Sequence, residues 1–289
     1  IDPTPISYAP FTSPTLFENS YIKAAEIGLS LGDGAVCMFA PCFASYVGGD
    51  ITAGLVSTGL CRAEDTSLFL DIGTNGETAL VCRGKIYLCS TAAGPAFEGA
   101  GIECGTAGIS GAIASVSYDG KIDFTTIDGK APAGICGSGI IDALAVMLDT
   151  GVLDESGAIL GDKFDICENV YISGKDVRKV QLAKAAVCAG ILTLMKEANV
   201  GKDDVDRVIL AGGFGSHINA ENAAKIGLIP KELAKKAIFA GNTAGSGAVA
   251  LLLSNEARLA AGEAVRDSIY TELSVNKYFM DEYIEQMSF

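Results

Sequence analysis

Tryptophan is absent from this 289-residue chain, histidine occurs once, as His217, and there are only 8 prolines. One histidine cannot build a His-rich metal centre, and it argues against a Ser-His-Asp triad. Few prolines beside 35 glycines suit many tight strand-to-helix turns, not disorder. No apolar run approaches the length of a membrane span, and no basic-then-apolar segment opens the chain. Neither a membrane anchor nor a secretory signal is therefore expected. Basic residues are outnumbered, 21 against 35 acidic ones, leaving a net charge of −14. That background argues against nucleic acid. A nucleotide site is compatible with it, because backbone dipoles and a metal can meet the phosphates. The nine cysteines are odd in number, with no Cys-x-x-Cys pair, and Cys82, Cys89 and Cys188 lie in apolar runs. Reduced thiols in a cytoplasmic protein are expected.

What is present is a well-packed α/β composition, 49% hydrophobic and 19% charged, long enough for one large domain or two modest ones. Its most informative stretch is Asp71-Ile72-Gly73-Thr74-Asn75-Gly76-Glu77, set between apolar Leu68–Leu70 and Thr78–Val81. Strand, Asp-x-Gly-Thr turn and second strand make a hairpin suited to wrapping a polyphosphate. Glycine at Gly73 and Gly76 lets backbone N–H groups face phosphate oxygens, and Thr74 adds a hydroxyl donor. Asp71 can hold a hydrated Mg²⁺ or orient an attacking water. The competing reading is an ordinary Asn-Gly hairpin with Asp71 as its Asx cap.

Residues 1–20 read as an extended arm. Ala35–Ala40 reads as a short buried strand, and Ser45–Leu60 as a loop entering a helix. Ile86–Cys89 is a third strand after the hairpin, running into the glycine-rich loop Ser90–Gly101. Asp119-Gly120 turns Ile113–Tyr118 into Ile122–Thr126. A helix is expected from Ile140 to Asp149. A longer one is expected from an N-cap at Asp176 to about Asn199, with Gly201 as its stop and Val180, Val187, Ile191, Leu194 and Ala198 on its apolar face. Val205–Leu210 and Lys236–Ala240 read as buried strands, each ending in glycines. Helices follow after Asn219 and over Ala248–Ala261, and the tail from Ile269 is expected to cover the surface. This is an α/β layer domain, whose ligands belong at the carboxyl ends of its strands.

Taken in order, these segments resemble the motif set of the acetate and sugar kinase, heat-shock chaperone and actin superfamily of ATPases. Gly49–Gly54 resembles connect-1, Asp71–Glu77 a phosphate hairpin, Leu210–Gly215 the adenosine motif and Gly241–Leu251 connect-2. The resemblance implies an actin-like ATPase fold, a ribonuclease-H-like lobe with a mixed sheet flanked by helices. The hairpin falls between connect-1 and adenosine, the place of phosphate-2. Residues 1–62 then form an arm and the closing part of the first lobe, and 63–289 the second lobe. The competing assignment makes Asp71 phosphate-1 and Ile135–Leu144 connect-1. Within the superfamily, Asp71–Glu77, Ser90–Gly101, Gly134–Asp142, Val180–Lys184 and Ala211–Gly215 resemble reductive activators of corrinoid proteins.

That resemblance implies ATP and Mg²⁺ as cofactors and a corrinoid protein of a methyltransferase system as partner. A homodimer is possible, and no nucleic acid or membrane is implied. The activity implied is return of Co(II) to Co(I) for methyl transfer. No cluster-binding cysteine spacing occurs here, so an iron–sulfur cluster is expected only in a separate N-terminal domain. Asp71 and Asp50 are the implied catalytic carboxylates, with Asp71 on Mg²⁺ through water and helix capping the alternative for Asp50. Gly73, Thr74, Asn75, Gly76 and Gly94 would serve the phosphates. Gly212, Gly213 and Phe214 would flank the nucleoside, or close-pack strand on helix. Gly241 and Asn242 open a hinge helix whose small residues would let it slide on connect-1. Two other readings stay open. One is a docking module that does not hydrolyse ATP, or a kinase or dehydratase activator of the same superfamily. The other is a cluster shared between subunits through Cys136 and Cys167.

Overall fold

The structure is a computed structural model that describes Thr4, residues 17–215 and residues 218–289. Its first elements are β1 (Ser20–Lys23) and β2 (Val36–Phe39), an antiparallel pair of their own. Val36 is 56% exposed, so the expected buried strand is instead half of a surface ribbon. Helix α1 (Gly49–Ser57) follows.

A meander then forms the sheet's centre: β3 (Ser67–Ile72), β4 (Gly76–Cys82) and β5 (Lys85–Thr91), all antiparallel. Residues 92–173 make an excursion off this sheet. It carries β6 (Ala112–Tyr118), β7 (Ile122–Thr126), β8 (Gly134–Ile135), helix α2 (Gly137–Asp149), and the hairpin β9 (Lys163–Cys167) and β10 (Val170–Ser173). The long helix α3 (Gly174–Ala198) returns the chain to the sheet. Strand β11 (Arg207–Ala211) pairs parallel with β3, and β12 (Ala237–Gly241) parallel with β11. Between them lie the single turn α4 (Gly212–Gly215) and α5 (Ala220–Lys225). The chain then runs through α6 (Thr243–Leu253), α7 (Asn255–Arg266), β13 (Ser268–Tyr270) and α8 (Lys277–Glu285). The full order is β12-β11-β3-β4-β5-β13.

Alternation in β3 decides how the layers stack. Leu68, Leu70 and Ile72 face one side with Leu80 and Cys89, against Val180, Val187, Ile191 and Leu194 of α3. Phe69 faces the other side with Ala79, Leu88 and Ile209, against Ile51 and Leu55 of α1 and Val265 of α7. Successive side chains of a strand point to opposite faces, so a strand covered on both sides is apolar throughout.

Several sequence expectations are corrected. The N-cap of α3 is Ser173, whose hydroxyl accepts from the Asp176 N–H while the Asp176 carboxylate accepts from the Ser173 N–H. Asp176 is thus the third residue of a capping box, not the cap. The helix ends on Asn199 in the left-handed region (φ +49°), ahead of Gly201. Helix α2 begins at Gly137, a turn before Ile140. The expected helix over Ala248–Ala261 is two helices that break at Ser254, whose side chain caps the second. Strand β12 lies at the sheet edge with Ile238 and Phe239 half exposed, so it is not buried. The tail is no mere cover, because β13 pairs parallel with β5. The expected arm falls largely outside the described residues.

Candidate nucleotide site

Three parallel strands end together. By register Asp71 of β3 lies beside Ala211 of β11, and Ala211 beside Gly241 of β12. The bends after them, at 73–75, 212–213 and 241–242, therefore share one edge of the sheet. This is the carboxyl end, where open α/β sheets bind ligands.

Asp71 sits where close packing and charge meet. A Cβ added to Gly212 would fall on the Asp71 carboxylate, and Gly212 has φ +85°, so both space and conformation demand glycine there. Directly across the hairpin Asp71 pairs with Glu77. Burial raises the Asp71 pKa above the ordinary carboxylate range, and the Asp50 charge raises it further. Glu77 is pushed up to about 7, first by burial and then by Asp50, with a weaker contribution from Asp71. The Ser90 hydroxyl, donating to Glu77 at 3.3 Å, only partly opposes this. Asp50, exposed in the first turn of α1, accepts from the Ile51 N–H at 2.9 Å. That bond is to the next residue only: Gly48 holds the N-cap position and no side chain caps α1, so Asp50 is not the cap that the alternative reading expected.

Three acids in mutual Coulombic range favour a cation. The described residues contain no group of three or more Cys, His, Asp or Glu poised to hold an ion by themselves. The donor set fits a hydrated Mg²⁺, which keeps several waters and takes only one or two carboxylates beside phosphate oxygens.

At the hairpin tip Thr74 and Asn75 are exposed, and the Gly73 N–H donates to the Asn75 carbonyl at 2.9 Å. The Thr74 hydroxyl donates to Glu98 at 2.6 Å. Gly76 has a different task from its neighbours. It is buried, and an added Cβ would lie 2.6 Å from the Thr91 hydroxyl and 2.9 Å from Val187. Its missing side chain makes room for α3, not for a phosphate. Gly94, at φ +77°, starts the turn Pro95–Glu98. The Asn242 side chain accepts from the Gly245 N–H at 2.8 Å, so it caps α6. Gly241 has φ +65°. The side chain of Phe214 and all of His217 lie outside the described residues.

A cleft of about 630 Å³ opens beside this edge. Its walls include Phe97, Glu98, Ala107, Ile127, Ser138 and Gly213. They bring the adenosine-like bend, the loop after β5 and the first turn of α2 to one space, of a size that suits a small-molecule ligand. Backbone N–H groups at the start of α2 add positive dipole there. Cys136 also lines this cleft, and its thiol bonds the Ile113 carbonyl and the Ser138 hydroxyl.

The family model described as the C-terminal domain of RACo, the ASKHA domain, matches residues 65–289. This chain belongs to the RACo family. A second model, the RACo middle region, matches residues 1–63. This chain is 35% identical over 297 residues to a protein of Eubacterium limosum named corrinoid activation enzyme RamQ, covering 93% of this chain and 50% of that protein. It is 29% identical over 256 residues to [Co(II) methylated amine-specific corrinoid protein] reductase of Methanosarcina barkeri, covering 81% of this chain and 45% of that one. A solved structure titled reductive activator for corrinoid,iron-sulfur protein superposes with a TM-score of 0.91 at 36% identity, covering 100% of this chain and 50% of that one. The chain thus spans about half the length of these relatives. Its fold is actin-like, with the mixed sheet flanked by helices, and that fold implies nucleotide binding.

Reasoning from sequence missed Glu77 and Glu98. The signal for Glu77 was present: it stands as far from the turn centre as Asp71 does, so the two must face each other across the hairpin. Glu98 offered no local signal, because its contact with Thr74 spans 24 residues.

Proposed function

We propose that this chain is the C-terminal actin-like ATPase portion of an ATP-dependent reductive activator, which returns a Co(II) corrinoid protein to Co(I) for methyl transfer. The observation that carries the reading is the shared register of Asp71, Ala211 and Gly241, which gathers three glycine bends at one edge. RACo membership and the names of the relatives support the corrinoid partner. On this reading 63–289 is the second lobe and 1–62 the closing part of the first. An iron–sulfur domain elsewhere in the longer polypeptide supplies the one electron that cobalt accepts.

The residues divide the labour simply. The Thr74 hydroxyl and the backbone at Thr74 and Asn75 would bind phosphate oxygens, and Gly213 would let the backbone approach the nucleoside while Gly212 makes room for Asp71. Asp71, with the Asp50 charge in range, would hold Mg²⁺ through water or orient the attacking water. Bound Mg²⁺ would neutralise charge on the phosphates. The raised proton affinity of Asp71 and Glu77 reflects a pocket that charge of opposite sign would relieve.

Calorimetry with ATP and Mg²⁺, followed by phosphate release, tests this. Asp71→Asn should cut turnover by about a hundredfold or more while the melting temperature stays within a few degrees. Undiminished turnover would remove the assigned role. The second reading, a docking module, rests on the occurrence of only one Asp-x-Gly-Thr hairpin in the chain. A folded chain that neither binds nor hydrolyses ATP would favour it.

A further inference from the structure

Glu98 is not explained by the proposed chemistry, yet it occupies the phosphate hairpin. One carboxylate oxygen accepts from the Thr74 hydroxyl at 2.6 Å. The other lies 3.6 Å from where a Cβ on Gly73 would stand. An anionic oxygen therefore already sits on the donor that the hairpin would offer a phosphate. The same side chain lines the cleft that Gly213 also lines. Among the described residues no lysine or arginine forms an ion pair with it.

Its backbone cannot retreat. Phe97 before it is 1% exposed, and Ala96 is 5% exposed. Gly99 after it has φ +79° and is pressed against the Thr106 backbone, with room for no side chain. Gly105 is pressed in turn against Gly99. The loop is packed backbone on backbone, and the Glu98 side chain stands exposed on it.

Resting on the nucleotide reading above, we infer that Glu98 gates the phosphate site: its carboxylate stands in for a phosphate oxygen on Thr74 and swings away before a polyphosphate enters. Until it does, like charges face each other at close range, and such juxtaposition opposes binding strongly.

Titration calorimetry of the 289-residue chain with Mg²⁺ and ATP, tripolyphosphate or adenosine tests the gate. Glu98→Ala should tighten ATP and tripolyphosphate by about tenfold or more and change adenosine affinity far less. Glu98→Gln, which keeps the acceptor without the charge, should tighten them less. Adding Thr74→Val to Glu98→Ala should erase most of the gain, because the freed hydroxyl is part of it. Equal or weaker ATP binding in Glu98→Ala, beside measurable binding in the parent, would overturn the gate and leave the nucleotide reading standing. A gain in adenosine affinity as large as that of tripolyphosphate would also overturn it. No binding of ATP by parent or variants, all folded by circular dichroism, would overturn the nucleotide reading and the gate together.

Discussion

Glu77 shows how far one side chain's state depends on its neighbours. Its carboxyl is half-buried beside Asp71 and near Asp50, and its pKa rises from 4.5 to about 7. A raised carboxyl binds its proton more tightly folded than unfolded. Its contribution to stability is therefore fully present below about pH 4.5 and lost as the pH climbs through about 7. Glu77→Gln copies the protonated form without the charge. At pH 8 it should stabilise the fold by roughly 1–3 kcal/mol, the upper end being the whole shift and the lower end allowing for solvent screening. At pH 4 the two proteins should melt alike. Thermal melts across that range check this, and a gap that does not change with pH would contradict it. The hairpin's shape was legible from Gly73 and the apolar flanks. What Gly76 does was not, because Thr91 and Val187 reach it from a strand and a helix far along the chain.

At the scale of elements, the crossing of α1 and α6 governs how the two connecting helices behave. A Cβ on Gly54 would lie 2.7 Å from the Phe69 ring and 3.0 Å from the Thr243 hydroxyl. One on Gly247 would fall within the Ala53 carbonyl. The Ser57 hydroxyl donates to the Thr243 carbonyl at 2.9 Å, pinning the crossing. Small residues were expected at this crossing, and at Gly247 and Ala53 they bring the two backbones into direct contact. Gly247→Ala sets two effects against each other. Helix propensity would gain about 1 kcal/mol. Overlap with a backbone carbonyl that has no rotamer to escape into costs about 1–3 kcal/mol. The overlap is against backbone on a buried contact, so the cost wins. A net loss of up to about 2 kcal/mol should appear in urea unfolding, and a stabilised variant would show the crossing to be looser than described. The pairing of these helices could be read from their small residues. The break at Ser254 could not, since its side chain decides the matter by capping α7 instead of continuing α6.

At the scale of the whole molecule, α3 is the shared wall, facing the sheet on one side and the chain's last residues on another. Lys184 of α3 is fully buried, and its ammonium bonds the Ser288 carbonyl and lies 5.0 Å from the Phe289 ring centre. Gln181 donates to the Met287 carbonyl at 3.0 Å, and the Cys188 thiol meets Gln286. The final residues are thus held along one helix by three of its side chains, of which only Lys184 carries charge. Burial lowers its pKa from 10.5 to about 8. A lowered lysine favours the neutral form when folded. Its contribution is present above about pH 10.5 and lost as the pH falls through about 8, so near neutrality the fold bears the cost of a buried ammonium. Lys184→Met removes that cost, up to about 3 kcal/mol, but leaves the Ser288 carbonyl without its donor, at about 1–3 kcal/mol. These nearly cancel at pH 7, so stability there should change little. By pH 10 the ammonium cost has largely gone and only the lost donor remains, so the variant should be weaker than the parent by about 1–3 kcal/mol. Hydrogen exchange should meanwhile be faster in residues 286–289 of the variant at both pH values, because the donor is missing throughout. A stability difference independent of pH would mean that Lys184 carries its charge at no cost. Unchanged exchange would mean that the last residues are held by Gln181 and packing alone.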